Sequence, residues 1–332
     1  MIFDGHNDVL ARLQQHAVAP ERFLTGLPDR AVDLPRARAG GFAGGLFAIF
    51  AASEMDGDHG VPIAHDEAAA FTLAALGRAQ ALAAASQGAV RVARSADELD
   101  RCRDDAALAM VLHLEGAEAI DADLASLDAW YAAGVRSVGL TWSRENAFAH
   151  GVPFRLPSSS DIGPGLTEAG EALVRRCAQL GVVVDVSHLN AAGFADVARI
   201  GAAPIIASHS ACHALCPSSR NLTDEQLREI ARSHGIAGIV FATGFVRPDG
   251  ADDAETPIAA IAAHVRHAID VAGIDHVGLG SDFDGATMPA DLPDVAALPR
   301  LLDALRDEGL TQAEIEQIAW RNWRRVLALA WG

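Results

Sequence analysis

Short apolar runs, often β-branched, alternate along the chain with longer Ala/Leu-rich stretches whose apolar positions recur at helical spacing. The runs predict strands at IFDGH (2–6), GGLFAIF (44–50), LAMVLHLE (108–115), VRSVGLT (135–141), VVVDVSH (182–188), PIIASHS (204–210), IAGIVF (236–241) and HVGLGSD (276–282), eight in all. Between them the spacing predicts helices over 66–85, 167–181 and 223–235. The last two open on Thr followed by acidic residues and close at Gly, as cap chemistry asks. A βα alternation repeated eight times predicts a closed parallel (β/α)8 barrel, a TIM barrel of the α/β class. A doubly wound open sheet is the alternative, but the first strand is not followed by G-x-G-x-x-G.

Segments after strands are long and rich in Gly, Pro and Ser (51–65, 142–166, 211–222, 242–256 and 283–296), whereas the helix-to-strand turns run to a few residues. That asymmetry puts the functional face at the C-terminal ends of the strands. No linker composition divides the chain, so residues 1–332 are expected to form a single catalytic domain.

Polar residues collect where the strands should end. The first strand gives His6 and Asp8, two apart and so on one face; the third gives Glu115, the fifth His188, the sixth His209 and the eighth Asp282. Any one of them alone reads as a satisfied structural group or a turn cap. Six at one rim read as a site. Of these six, three imidazoles and two carboxylates suit zinc or a similar divalent metal as five ligands, and with two ions one carboxylate must bridge. His113, on the same face as Glu115 but one pleat deeper, is a rival ligand or a partner behind the ligands.

Composition narrows the chemistry further. All 26 basic side chains are Arg, which excludes a Schiff-base lysine, a P-loop lysine and a carbamylated lysine between two metals. Glu115 is therefore the best bridging candidate. Against 44 acidic residues the net charge is −18, a field that repels nucleic acid and anionic membrane surfaces. The start of the chain lacks a basic-then-apolar leader, and no run approaches ~18 unbroken apolar residues, so a cytoplasmic location is expected. Cys102, Cys177, Cys212 and Cys216 are expected as reduced thiols; the C-x3-C of the last two has no second pair to complete a structural zinc site.

GHND (5–8), HLEGAEAID (113–121), DVSH (185–188), SHSACHALCPSSRN (208–221) and GSDFDG (280–285) resemble, in order, the motifs of the membrane (renal) dipeptidases, binuclear zinc peptidases of the amidohydrolase superfamily. The resemblance implies a (β/α)8 barrel with two Zn2+ ions: His6, Asp8 and Glu115 on one, and Glu115, His188 and His209 on the other. It further implies Asp282 as the proton-transfer residue acting on a water shared by the metals, and Arg220 as anchor for the carboxylate of a small peptide. L-D dipeptides are among the substrates it implies, and a homodimer the assembly. One position departs: Trp142 stands where the better-known members carry a substrate-contacting His. Either Trp142 or His150, eight residues on in the same loop, is left to contact substrate there. The alternative activity is metal-dependent hydrolysis of a non-peptide amide, lactone or β-lactam.

Overall fold

The computed structural model describes residues 1–331. Its wall is eight parallel strands: β1 (Ile2–Asn7), β2 (Phe42–Ile49), β3 (Leu108–Leu114), β4 (Val135–Gly139), β5 (Val183–Asp185), β6 (Ile205–Ser210), β7 (Ile236–Ile239) and β8 (Val277–Leu279). They pair in sequence order, and β1 pairs with β8 through Asp4 and Leu279, so the sheet closes on itself as the (β/α)8 barrel the alternation predicts. β2 and β3 share the longest register, from Gly44 opposite Ala109 to Ile49 opposite Leu114.

Two departures from the sequence reading matter for the site. First, β5 and β8 stop three residues short of His188 and Asp282, which were expected as strand ends. Both residues instead follow the strand in left-handed backbone, with φ of 65° and 66°. Such a turn costs energy in a non-glycine residue and here redirects each side chain at the barrel mouth. Asp8 likewise lies past β1, at the N-cap of the helix Val9–Gln15, with no capping hydrogen bond from its carboxylate.

Second, a three-residue strand, Val90–Val92, pairs with the lower half of β3, where β4 has not yet begun. It is too short to stand out by pattern. The helices at Glu168–Leu180 and Asp224–Arg232 do start at Thr caps; the first ends at Gly181, but the second ends at Ser233, before the expected Gly235. The helix His65–Ala85 is long and apolar enough by composition to cross a membrane, yet it packs on the barrel through Ala68, Thr72, Ala75, Leu76, Ala79 and Leu82.

The bore is filled from below. The helix Asn322–Trp331 inserts Trp323, wholly buried, against Phe3 (ring centroids 5.9 Å apart), and its indole N–H donates to Leu279 O at 3.0 Å. Room for that ring comes from Gly5, Gly238 and Gly278, where an added Cβ would lie 2.4, 3.0 and 2.5 Å from indole atoms. All four cysteines are buried free thiols.

Candidate metal centre

At the opposite mouth the chain turns bring six side chains together. Three overlapping sets each have donor atoms within 4.8 Å of one another: His6, Asp8 and Glu115; Glu115, His188 and His209; and His6, His209 and Asp282. Glu115 stands between the first two. Its Oε2 lies 3.4 Å from His6 Nε2, while its Oε1 lies 3.2 Å from His188 Nε2 and 3.6 Å from His209 Nε2. The His6 and His209 rings stack with centroids 3.7 Å apart.

Gly285 lets the two remaining carboxylates approach, since a Cβ there would fall 2.1 Å from Asp8 Oδ2 and 2.2 Å from Asp282 Oδ1. The second acid of DFDG has a different task. Asp284 accepts the backbone N–H of Ala31 (2.9 Å) and Val32 (3.2 Å), fastening the loop after β8 to the chain after the first helices.

The electrostatics are those of a crowded, dry site. Burial, together with the facing Asp8 and Glu115, holds the Asp282 carboxyl well above its usual range. Burial also raises Glu115. Burial works against a charged His6, but Glu115 and Asp8 outweigh it and lift its pKa well above the ordinary value. Burial drives His188 and His209 well below theirs, helped by the Arg220 charge for the first and by His6 and Arg220 for the second. His6 Nδ1, His6 Nε2 and Asp8 Oδ1 are buried with no hydrogen-bond partner among the described residues. Orphaned buried donors and acceptors of this kind are costly unless something else satisfies them. A borderline divalent cation does so, because imidazole nitrogens and carboxylate oxygens are its preferred donors.

Behind the imidazoles of the cluster stand serine hydroxyls. His188 Nδ1 is 2.8 Å from Ser143 Oγ, and His209 Nδ1 is 2.7 Å from Ser208 Oγ. His113, one layer down, places Nδ1 3.0 Å from Ser137 Oγ and Nε2 3.5 Å from Asp185, and belongs to none of the three sets. Its depth in the barrel is what the alternation along β3 leads one to expect.

Arg220 is almost fully buried beside the cluster. Nη1 donates to Ser210 Oγ (2.8 Å) and Nη2 to His209 O (2.7 Å), while Nε is without a partner. Burial brings its pKa down to about 10, so it remains charged at neutral pH. From His188 to Arg220 runs an arc of aromatic rings. Trp142 packs on Phe50 (4.9 Å), Phe154 (5.4 Å) and His188 (5.9 Å), Phe154 stacks on Phe245 (6.0 Å), and the Arg220 guanidinium lies 5.8 Å from the Phe245 ring.

His150 is elsewhere. It is partly exposed, its Nδ1 sits 3.4 Å from Glu145, and it lines an outer pocket with Asp56, His59 and Gly163. Sequence reading also passed over Arg144. This buried guanidinium joins three loops by donating to Glu118 Oε1 (2.7 Å), Ser53 Oγ (2.9 Å) and Ala51 O (2.9 Å).

Known proteins share this fold closely. A metallopeptidase from Rhodobacter sphaeroides, solved with a phosphinate mimic of the dipeptide L-Ala-D-Ala, is 42% identical; the match covers 99% of both chains with a TM-score of 0.97. The dipeptidase AC, a metallopeptidase of family M19, is 44% identical over 100% of this chain and 98% of its own, with a TM-score of 0.96. An uncharacterized protein in the pqqA 5′ region of Klebsiella pneumoniae is 48% identical over 250 residues, 75% of this chain and 92% of that one. The profile of the membrane dipeptidases (peptidase family M19) matches residues 1–330, and the chain belongs to that family of metal-dependent peptide-bond hydrolases.

Proposed function

We propose that the protein is a zinc dipeptidase with two ions bridged by Glu115, and that L-D dipeptides are among its substrates. The observation that carries this reading is the split of Glu115, whose two oxygens face two separate sets of ligands. His6 and Asp8 would hold one ion with Oε2, and His188 and His209 the other with Oε1. When bound, such a pair polarises a carbonyl and lowers the pKa of a water toward ~7.

The rest is done by the chain's own groups. Asp282, grouped with His6 and His209, accepts the proton of the attacking water and returns it to the departing nitrogen. Arg220 has Nε–H and the second N–H of each Nη left to grip a terminal carboxylate, while Ser210 and His209 O fix the plane of the guanidinium. The aromatic arc closes the space between that anchor and the metals, so the site suits a short peptide with a free C-terminus. Trp142 is part of this wall, whereas His150 is turned toward Glu145. The ligand of the Rhodobacter sphaeroides relative, a mimic of L-Ala-D-Ala, supports the stereochemistry.

The test is turnover of L-L and L-D dipeptides and their C-amidated forms by zinc-loaded and chelator-dialysed protein. Zinc-dependent cleavage of the free dipeptides, lost on amidation, is the expected result. Undiminished turnover after chelation, or equal rates on amidated substrates, would sink the zinc reading or the Arg220 anchor respectively.

A further inference from the structure

The two imidazoles on the Glu115 Oε1 side are supported differently. Behind His188 Nδ1 stands the hydroxyl of Ser143. Behind His209 Nδ1 stands Ser208 Oγ, and behind that a buried carboxylate, with Ser208 Oγ–H donating to Asp185 Oδ2 at 2.5 Å. Asp185 lies at the end of β5 and Ser208 in β6, so the two neighbouring strands carry the connection.

The hydrogen-bond accounting at Ser208 leaves one solution. Asp185 Oδ1 already accepts the backbone N–H of Ser187 (3.0 Å) and of Ser208 (2.8 Å), and a carboxylate donates nothing. The single hydroxyl proton of Ser208 therefore goes to Asp185 Oδ2. Ser208 Oγ must then act as acceptor toward His209, so Nδ1 carries the ring proton and Nε2 keeps its lone pair. Nε2 is the atom that faces Glu115 Oε1 and His188 Nε2 (3.1 Å). The hydroxyl of Ser187, 3.3 Å from Ser208 Oγ, fits the remaining acceptor position.

We infer that Asp185 is a positioning residue that, through the Ser208 hydroxyl, fixes the tautomer and aim of His209 and thereby sets metal affinity on the His188/His209 side of the site. This rests on the metal reading above. It also makes a signed forecast for substitutions. In Asp185→Asn the amide oxygen can keep both backbone bonds, but the amide nitrogen then donates to Ser208 Oγ. The Ser208 proton is released toward His209 Nδ1, which favours the tautomer with a proton on Nε2, aimed at the metal. Ser208→Ala merely removes the support. The reversal needs the hydroxyl, so Ser208→Ala introduced into Asp185→Asn should relieve part of its defect.

The experiment is competition of each variant against a chromogenic chelator for zinc, with bound metal counted by elemental analysis. Asp185→Asn should weaken one of two ions by about 100-fold, Ser208→Ala by about 10-fold, and the double variant should return to about the 10-fold level. Ser86→Ala, which removes a buried hydroxyl bonded to Ala83 O, Val90 O and Val90 N rather than to the imidazole network, should bind zinc like the parent. Parent-like affinity in both single variants, additive losses in the double variant, or an equal loss in Ser86→Ala would overturn the inference. Should Asp185→Asn not fold, Ser208→Ala against Ser86→Ala decides alone. A parent protein that binds no zinc would instead remove the proposed function.

Discussion

At the N-terminal mouth of the barrel, Trp323 occupies the bore, meets Phe3 and spends its one donor on Leu279 O. At the C-terminal mouth, a few residues along the same strands, His6 and Asp8 are as deeply buried but leave three polar atoms without partners. β1 serves both ends: Phe3 and Gly5 belong to the plug, His6 to the cluster. Burial alone therefore does not separate core from site; satisfaction of the buried polar atoms does. The plug is a solved packing problem, and the rim is an unsolved one until a cation completes it.

The largest effect expected from breaking this contrast is at the rim. Asp282→Asn should lower kcat by roughly 10²- to 10⁴-fold while leaving bound metal and melting temperature near those of the parent. Near-normal kcat would remove Asp282 from proton transfer. At the plug the signs reverse: Trp323→Ala should cost about 3–5 kcal/mol of stability in denaturant unfolding, with activity per folded molecule retained. Parent-like stability would show that the bore does not depend on the indole.

Acid should act outside the strands, where a helix of the outer layer meets the loops after β6 and β7. His264, on the helix Ile258–Ala272, accepts the Cys212 N–H on Nδ1 (3.0 Å), and its Nε2 is 3.1 Å from Val246 O, an arrangement only the neutral ring satisfies. Burial, with His267 adding to it, pushes its pKa down to about 4. A folded-state pKa below the unfolded value near ~6.5 gives stability that is complete above that value. It is lost as pH falls toward about 4, a loss of about 3 kcal/mol for that shift. Urea unfolding between these limits should show that slope, and His264→Gln should flatten it; identical slopes would assign the acid sensitivity elsewhere. The smallest effect concerns the plug's clearance. Gly278→Ala, whose Cβ would meet the indole Nε1 at 2.5 Å, should cost about 1–3 kcal/mol, and no cost would mean that the ring has room to move.

Much of the molecule could be read from the chain. The eight strands stand out because each is an apolar run bounded by Gly, Pro or polar turns, and the closed barrel follows from their alternation with helices. The polar rim stands out for the converse reason: acids and imidazoles interrupt runs that should be apolar. What stayed hidden depends on three dimensions. Asp185 looks like one more polar residue in DVSH until Ser208 is set beside it from the next strand. Arg144 and Glu118 lie 26 residues apart and meet only because neighbouring βα loops converge. Trp323 reads as one face of a C-terminal helix, and nothing local says that the face enters the barrel. Val90–Val92 is too brief to carry a period at all. His188 and Asp282 were legible as site residues but not as residues in left-handed turns, since Gly and Asn, the usual markers of that backbone, are absent at both positions.

The pairing of β1 with β8 also sets a timetable. Asp4 meets Leu279 across nearly the whole chain, and Trp323 arrives later still. His6 and Asp8 sit on or just past β1, yet that strand cannot be walled in until β8, the last of the eight in chain order, is in place. A contact spanning so much sequence is slow to form, because the intervening chain must be ordered before the ends reward it. The strand that opens the barrel therefore waits for the one that closes it.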